Sequence, residues 1–470
     1  MKQTSDLIKR SLQRPPLSKS RPPLATPRID TQDIEETHKP FSIVGIGASA
    51  GGLEAFQDLL QSLSPKTGMA FVLIQHLDPK HESMLASIHA RTTQMRVLEA
   101  KNKMTVEPNH VYIIPPNASM SIQDGMLKLQ PRAQGVKLNL PIDDFFEALA
   151  NDWGSQAIGV ILSGSASDGS RGIMMIKDVG GITFAQDGQT AQFEMMPRNA
   201  VLTDCIDFVL SPTAIAHKLN EIAMHPYLSP SGPKSKELLA EEVPFKRIMT
   251  LLRNFSGVDF IQYKSGTLKR RITRRMALSK VQTMDQYIDI LEKDSKELES
   301  LHQDILIRVT RFFRDPETFE AFTKDIFPSI TKNKTFQTPL RIWVPGCSTG
   351  EEVYSIAISL LEYLGDTGSQ APFQIFGTDL NDRCVSVARA GIYLETITAD
   401  VSKERLKRFF IKTEAGYQII KTIREQCVFS KQNVCIDPPF SKVDLISCRN
   451  LLIYLGPDLQ KRFFLFSITP

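Results

Sequence analysis

Five short apolar runs, SIVGIG, MAFVLIQ, HVYIIPP, AIGVILS and GITFAQ, recur along residues 42–186 with helix-length segments between them. A run that is apolar at successive positions has no polar face to turn to water, so it reads as a strand buried on both sides. Strands of that kind belong to parallel sheets covered by helices. The alternation therefore predicts an α/β unit over residues 41–225. It stops at HPYLSPSGPKSKE, whose prolines, glycine and serines predict a linker over 226–243.

A purely helical pattern follows. In PFKRIMTLLRNF, Phe245, Ile248, Leu251, Leu252 and Phe255 recur at helical spacing. The pattern continues through TLKRRITRRMAL, MDQYIDILEKD and ELESLHQDILIRVT, predicting a small helical subdomain over 244–325. LRIWVPG, EEVYSIAISLLEYL, FQIFGTD and VDLISCRN then open a second α/β unit over 326–470. Residues 1–40 carry two Pro-Pro pairs and scattered Lys and Arg, and read as a disordered basic leader. The expected fold class is α/β, with two Rossmann-like, mostly parallel sheet domains and a small all-helical subdomain between them.

Composition narrows the function classes. A net charge of +4 on 470 residues is too small for a dedicated nucleic-acid binder. Six cysteines include no C-x-x-C pair, which argues against a zinc site or a disulfide framework and suits a cytoplasmic protein. No stretch reaches the roughly 18 apolar residues of a membrane span, so no direct membrane insertion is expected.

The first strand ends in a loop that can be read twice. In SIVGIGASAGGLEAF, Gly45, Gly47 and Ala50 fit a dinucleotide fingerprint, while Gly47, Ser49 and Gly51 fit the G-x-S-x-G turn that exposes a nucleophilic serine. A dinucleotide site needs an acid at the end of the second strand, and Gln75 and His76 stand there instead, with Asp78 further on. A hydrolase needs a base that reaches the serine and a carboxylate that holds the imidazole. His76 suits the first role. Asp168, in LSGSASDGS, suits the second, with Asp187 as a competitor. The amides of Ala50 and Gly51, at the start of the following helix, are candidate oxyanion donors. On this reading Gly45 shapes the turn that exposes Ser49.

In the second unit, GCSTGEE is neither a dinucleotide nor a Walker loop, and no lysine follows for a phosphate. The second strand there ends in Asp379, placed to accept ribose hydroxyls unless it merely caps the next helix. A nucleoside without phosphates suggests S-adenosylmethionine.

These stretches carry two resemblances. GIGASAGGLEA, IQHLDP, VYIIPPN, LSGSASDGSRG and AQDGQTAQFEMMPRNA resemble the chemotaxis receptor methylesterase, CheB, over 41–225. The resemblance implies Ser49 as nucleophile, His76 as general base and Asp168 as its orienting carboxylate. It further implies hydrolysis of glutamyl methyl esters on receptor helices, and deamidation of glutamines. Ser165 and Ala166 stand where the family's loop has Met and Gly. No receiver domain precedes the esterase in this chain, so control by phosphorylation of an attached receiver is not expected.

SGVDFIQYKSGTLKRRITRRM, VTRFFRDPETFEAF, WVPGCSTGEEVYSIAI, FGTDLNDRCVSVARAGIY and VDLISCRNLLIYL resemble the receptor glutamate methyltransferase, CheR, over 244–460. That resemblance implies that Thr310, Arg314, Glu352, Asp379, Asn433, Val434, Arg449 and Asn450 line an S-adenosylmethionine pocket, with Tyr454 nearby. Asp379 would hold the ribose, Glu352 and Arg314 would orient the methionyl and adenosyl parts, and Arg314 is also a candidate for the substrate carboxylate. Residue 308, an Asn in some members, is Arg308 here. Methyl transfer to an ionised carboxylate calls for alignment and desolvation and not for a general base.

The basic residues of LKRRITRRM, Lys269, Arg270, Arg271, Arg274 and Arg275, read by themselves as a solvated face, or less readily as an RNA-binding one, whereas the resemblance favours their docking on acidic methylation helices of methyl-accepting chemotaxis receptors or similar signalling proteins. The family continues past CRNLLIYL with further sheet strands, so the ending FLFSITP reads as truncated and the transferase half as the less stable one. The sequence reading is thus a bifunctional receptor-modifying enzyme. Its rivals are a catalytically weak scaffold that keeps both folds for protein interaction, and a dinucleotide-dependent oxidoreductase.

Overall fold

In the computed structural model, residues 41–76, 84–132, 139–225, 242–306, 309–332, 334–335, 337–368 and 371–468 are described. The leader 1–40, the linker up to 241, Asp78 and Arg308 lie outside the described residues. Residues 39–470 make one compact unit.

All five apolar runs become strands of a seven-stranded sheet. Its order is Phe208–Leu210, Ile182–Gln186, Ala157–Ile161, Ile43–Ala48, Ala70–Gln75, His110–Ile113 and Arg96–Glu99. Every neighbouring pair is parallel. The chain leaves the central strand Ile43–Ala48 towards one edge and later returns to build the other. This reversal opens a crevice at the carboxyl ends of the strands, where open sheets of this kind take ligands. Both faces are packed: Val44, Ile46, Phe71 and Leu73 on one side, Ile43, Val72, Phe146 and Ile161 on the other.

Gly45 and Gly47 share a face of the central strand beneath helix Pro141–Trp153. A Cβ at Gly45 would stand 2.9 Å from Phe146 Cε1, and one at Gly47 2.5 Å from Ile142 Cγ2. The sequence reading assigned Gly45 to the turn. It lies mid-strand instead, where the missing side chain lets the helix approach.

The antiparallel hairpin Ala118–Gln123 with Met126–Pro131 was not anticipated. Its signal is in the sequence: the turn is Asp124-Gly125, and both residues have positive φ (52° and 73°).

The helical stretch folds as Glu242–Ser256, Ser265–Leu278, Met284–Lys293 and Ser295–Ile305 around Ile248, Leu252, Ile272, Tyr287 and Leu301. Phe255, expected on the packed face, is 45% exposed and meets only the edge of the His302 ring among the ring contacts described. A second parallel sheet runs Cys427–Lys431, Phe373–Asp379, Leu340–Pro345 and Leu445–Ile446, again with a reversal beside its first strand. No helix among the described residues is long and apolar enough to cross a membrane.

The helix Ser265–Leu278 does not present its basic face to solvent. Arg274 is fully buried and pairs with both Asp207 and Asp304, while its Nε donates to the carbonyl of Gly181 at 2.8 Å. Lys177 completes the cluster, 2.5 Å from Asp207 and 3.0 Å from Asp304. Arg271, 2% exposed, donates to the carbonyls of Lys177 and Asp178. This corrects the expected docking role for Arg271 and Arg274. Arg271 is spent on the first α/β unit and Arg274 on that unit and the helical subdomain together, because buried guanidinium groups require carboxylates and carbonyls around them.

Candidate active sites

The nucleophile turn follows the central strand. Gly51 has φ 70° and starts helix Gly52–Ser62, and a Cβ there would lie 2.6 Å from Gln192 Oε1 and 2.7 Å from Ser163 Oγ. Only glycine fits that backbone and that space. Ser49 Oγ stands 3.3 Å from His76 Nδ1, and His76 Nε2 stands 2.8 Å from Asp168 Oδ2. The structure thus brings together the three residues that the sequence reading chose from three different strand ends.

Asp168 is almost fully buried, while the His76 side chain is 32% exposed. The amides of Ile142 and Asp143, at the start of helix Pro141–Trp153, donate to the Asp168 carboxylate at 3.1 and 2.9 Å. A helix amino end stabilises negative charge there. Burial pushes the neighbouring Asp143 carboxyl well up, and the charge of Asp168 adds to the effect. Asp187 instead accepts the amides of Gln189 and Thr190 in its own turn.

Sequence reasoning missed Ser163. Its carbonyl accepts the amide of Ser49 at 3.0 Å, and its hydroxyl donates to Ala50 O at 2.9 Å and accepts from the amide of Phe193 at 3.0 Å. One small side chain therefore fixes the nucleophile turn against two other loops. A cleft opens beside His76, lined by Gln75, Ile114, Asn117, Arg132 and Pro141 among others.

The second site is a cavity at the carboxyl ends of the smaller sheet. Thr310, Arg314, Glu352, Asp379, Asn433, Val434, Arg449 and Asn450 all line it, together with Tyr454. Asp379 Oδ2 accepts the amide of Ser348 and Oδ1 that of Asn381, both at 2.8 Å. The cap of the following helix is Asn381, not Asp379. Asp379 braces the small-residue turn, and a carboxylate with two oxygens retains lone pairs for a diol.

Glu352 accepts from Ser447 Oγ at 2.6 Å, and Arg449 Nη1 lies 3.9 Å from its other oxygen. Burial raises its carboxyl above the ordinary value, opposed by the Ser447 hydrogen bond and by Arg449. Arg449 also donates to Arg314 O at 2.7 Å and Asp315 Oδ2 at 2.6 Å, tying the loop that carries Arg314 to the sheet. The turn, the Asp379 brace and the apolar side walls fit a nucleoside without phosphates that carries an amino-acid tail.

Comparisons with known proteins bear on both sites. CheB methylesterase matches residues 44–219, the all-alpha domain of CheR methyltransferase matches 244–306, and the SAM binding domain of CheR methyltransferase matches 308–465. A Leptospira interrogans putative protein-glutamate methylesterase/protein-glutamine glutaminase is 32% identical over 37% of this chain and 92% of that one. A Listeria monocytogenes chemotaxis protein methyltransferase is 30% identical over 43% of this chain and 75% of that one. The chain is a fused member of the CheB and CheR families.

An uncharacterized 104.1 kDa protein of Rhodobacter capsulatus spans both CheB and CheR parts, at 35% identity over 80% of this chain. This chain covers 42% of that relative's length. The Thermotoga maritima CheB methylesterase catalytic domain, a solved structure, matches at 29% identity over 39% of this chain and 98% of that one, with a TM-score of 0.36.

The CheR cavity also holds residues the sequence reading did not single out. Tyr263 and Lys264 come from the helical part, and the Lys264 amide donates to Tyr454 O at 3.0 Å, so the all-alpha domain is laced to the cavity rim. Asp178 comes from the CheB half. No local pattern announces it, because its neighbours in the chain belong to another domain.

Proposed function

We propose that the chain removes methyl groups from glutamyl methyl esters with its CheB half and adds them to glutamates with its CheR half. In the first reaction Ser49 Oγ attacks the ester carbonyl while His76 Nδ1 takes the hydroxyl proton. Asp168 holds Nε2–H and balances the imidazolium. The amides of Ala50 and Gly51 are the proposed donors to the oxyanion. His76 returns the proton to methoxide, methanol leaves, and water attacks the acyl-serine by the same route to free the carboxylate and the serine. The same relay would release ammonia from a glutamine side chain.

For the second reaction, S-adenosylmethionine supplies a methyl on a sulfonium, ready for transfer to a carboxylate oxygen. On this proposal Asp379 would receive the ribose hydroxyls, Glu352 the amino-acid tail, and Arg314 the acceptor carboxylate. The proposed work of these residues is to bind and align the reactants. The proposed substrates are helices of methyl-accepting chemotaxis receptors or similar signalling proteins, met in the cytoplasm.

The observation that carries this reading is the continuous Ser49–His76–Asp168 contact, with 3.3 and 2.8 Å separations. Methanol release from a methylated receptor fragment tests it, and Ser49→Ala should abolish that release. Calorimetric titration with S-adenosylmethionine tests the other half: binding is expected, and Asp379→Ala should weaken it by on the order of tenfold or more, as loss of a charged hydrogen-bonding group does. Methanol release that survives Ser49→Ala, or absence of cofactor binding, would overturn the corresponding half.

A further inference from the structure

The CheR cavity is not walled by the CheR half alone. Helix Ser170–Asp178 of the CheB half ends at it, and Asp178 is part of the lining. The backbone of that helix end is what holds it there. Arg271 donates to the carbonyl of Lys177 at 2.7 Å and to that of Asp178, and Lys177 is ion-paired to Asp207 and Asp304.

The Asp178 carboxylate is only loosely engaged by this clamp, through an ion pair with Arg271. Its Oδ1 lies 3.6 Å from Arg271 Nη2, beyond hydrogen-bond distance, and has no hydrogen-bond partner among the described residues. The side chain is 22% exposed, and it stands between the cavity and a charged cleft that separates the two halves. Burial raises the Asp178 carboxyl above its ordinary value, opposed by the charges of Arg271, Arg270 and Arg314, and burial followed by the charge of Asp178 raises the Tyr454 phenol. A carboxylate among three guanidinium groups and a phenol has the surroundings that an incoming glutamate side chain needs. The nucleoside features, Gly346 to Ser348 and Asp379, belong to other segments of the lining.

We propose that Asp178 is a tethered carboxylate on the acceptor side of the CheR cavity, so that a glutamate acceptor binds only by displacing it. The inference rests on the methyltransferase reading of the cavity. It makes the CheB half a built-in competitor of the CheR substrate.

The test uses the full chain saturated with S-adenosylhomocysteine and a fluorescein-labelled synthetic helical peptide with paired glutamates, followed by fluorescence anisotropy. Removing a competitor raises the competent fraction, so Asp178→Asn should bind the peptide roughly fivefold to tenfold more tightly. Asp178→Glu, which keeps the charge, should stay near wild type, and affinity for S-adenosylhomocysteine should be the same in all three. Matching melting curves would confirm that the variants fold alike, and Asp178→Ala serves should the Asn variant not fold. Equal or weaker peptide binding by the charge-removed variants, or no peptide binding by any of them, overturns the inference while leaving the cofactor reading intact. Failure of S-adenosylhomocysteine to bind the wild-type chain overturns both.

Discussion

His76 Nε2 lies 2.8 Å from Asp168 Oδ2, and the same carboxylate accepts the amides of Ile142 and Asp143. An asparagine at 168 cannot reproduce this pattern. In either orientation its NH₂ faces a backbone N–H, and if it faces His76 it forces the imidazole into the tautomer that carries its proton towards Ser49. Asp168→Asn should lower the esterase turnover number by on the order of 10³-fold or more, with little change in KM. Steady-state methanol release measures it.

Ala166 occupies the left-handed region with φ 75°, and its carbonyl accepts from Asn199 Nδ2 at 2.8 Å. A Cβ in that region costs about 1–2 kcal/mol, part of which glycine would return as unfolded-state entropy. Ala166→Gly should therefore be neutral or stabilising by about 0.5 kcal/mol, whereas the β-branched Ala166→Val should lose at least about 1–2 kcal/mol. Urea titrations of the three proteins give the comparison.

Arg274 is fully buried and holds the nearly buried carboxylates of Asp207 and Asp304. Removing its charge leaves two buried carboxylates with fewer cations, at a cost of about 3–5 kcal/mol. Arg274→Ala should lower the denaturation midpoint and separate the unfolding of the CheB half from that of the helical part, as read by hydrogen exchange along helices Ser170–Asp178 and Ser265–Leu278. Its cations hold the Asp207 carboxyl below its ordinary range. The stability from this group is therefore complete above the unfolded carboxylate value, near pH 4, and is lost as the solution is acidified further.

His89 is fully buried against the edge of Phe56, and neither ring nitrogen has a hydrogen-bond partner among the described residues. Burial lowers its pKa to about 4 from 6.5. Between those values the unfolded chain takes up a proton that the folded chain refuses, so stability falls as pH drops through that window, by up to about 1.4 kcal/mol per pH unit. His89→Leu should flatten the melting temperature between pH 6.5 and 4. An unchanged slope would count against the assignment.

Much of the fold could be read from the chain because strands buried on both faces must be apolar throughout, and such runs are conspicuous in one dimension. The edge strands Arg96–Glu99 and Phe208–Leu210 escaped, since a strand with one neighbour needs no such run. Gly45 was misplaced for a related reason. A glycine that admits a helix looks, in sequence, like one that makes a turn, and only Phe146 lying 2.9 Å from its absent Cβ distinguishes them.

The sequence by itself determined the five buried strands of the first sheet, that Ser49 and His76 follow two of them, that Asp168 lies in the loop after another, and that Asp379 ends a strand of the second sheet, because buried strands and the loops at their ends follow from local pattern. It could not determine what the charges of helix Ser265–Leu278 face. Arg271 meets Lys177 across 94 positions of chain, and a row of arginines reads as a solvated surface until its partners are known. Only the tertiary structure buried Arg274 between Asp207 and Asp304, and with the same clamp brought the carboxylate of Asp178 into a cavity made by another domain. The physical reason is that desolvation and pairing of charge depend on distance in space, which the spacing of residues along the chain does not set.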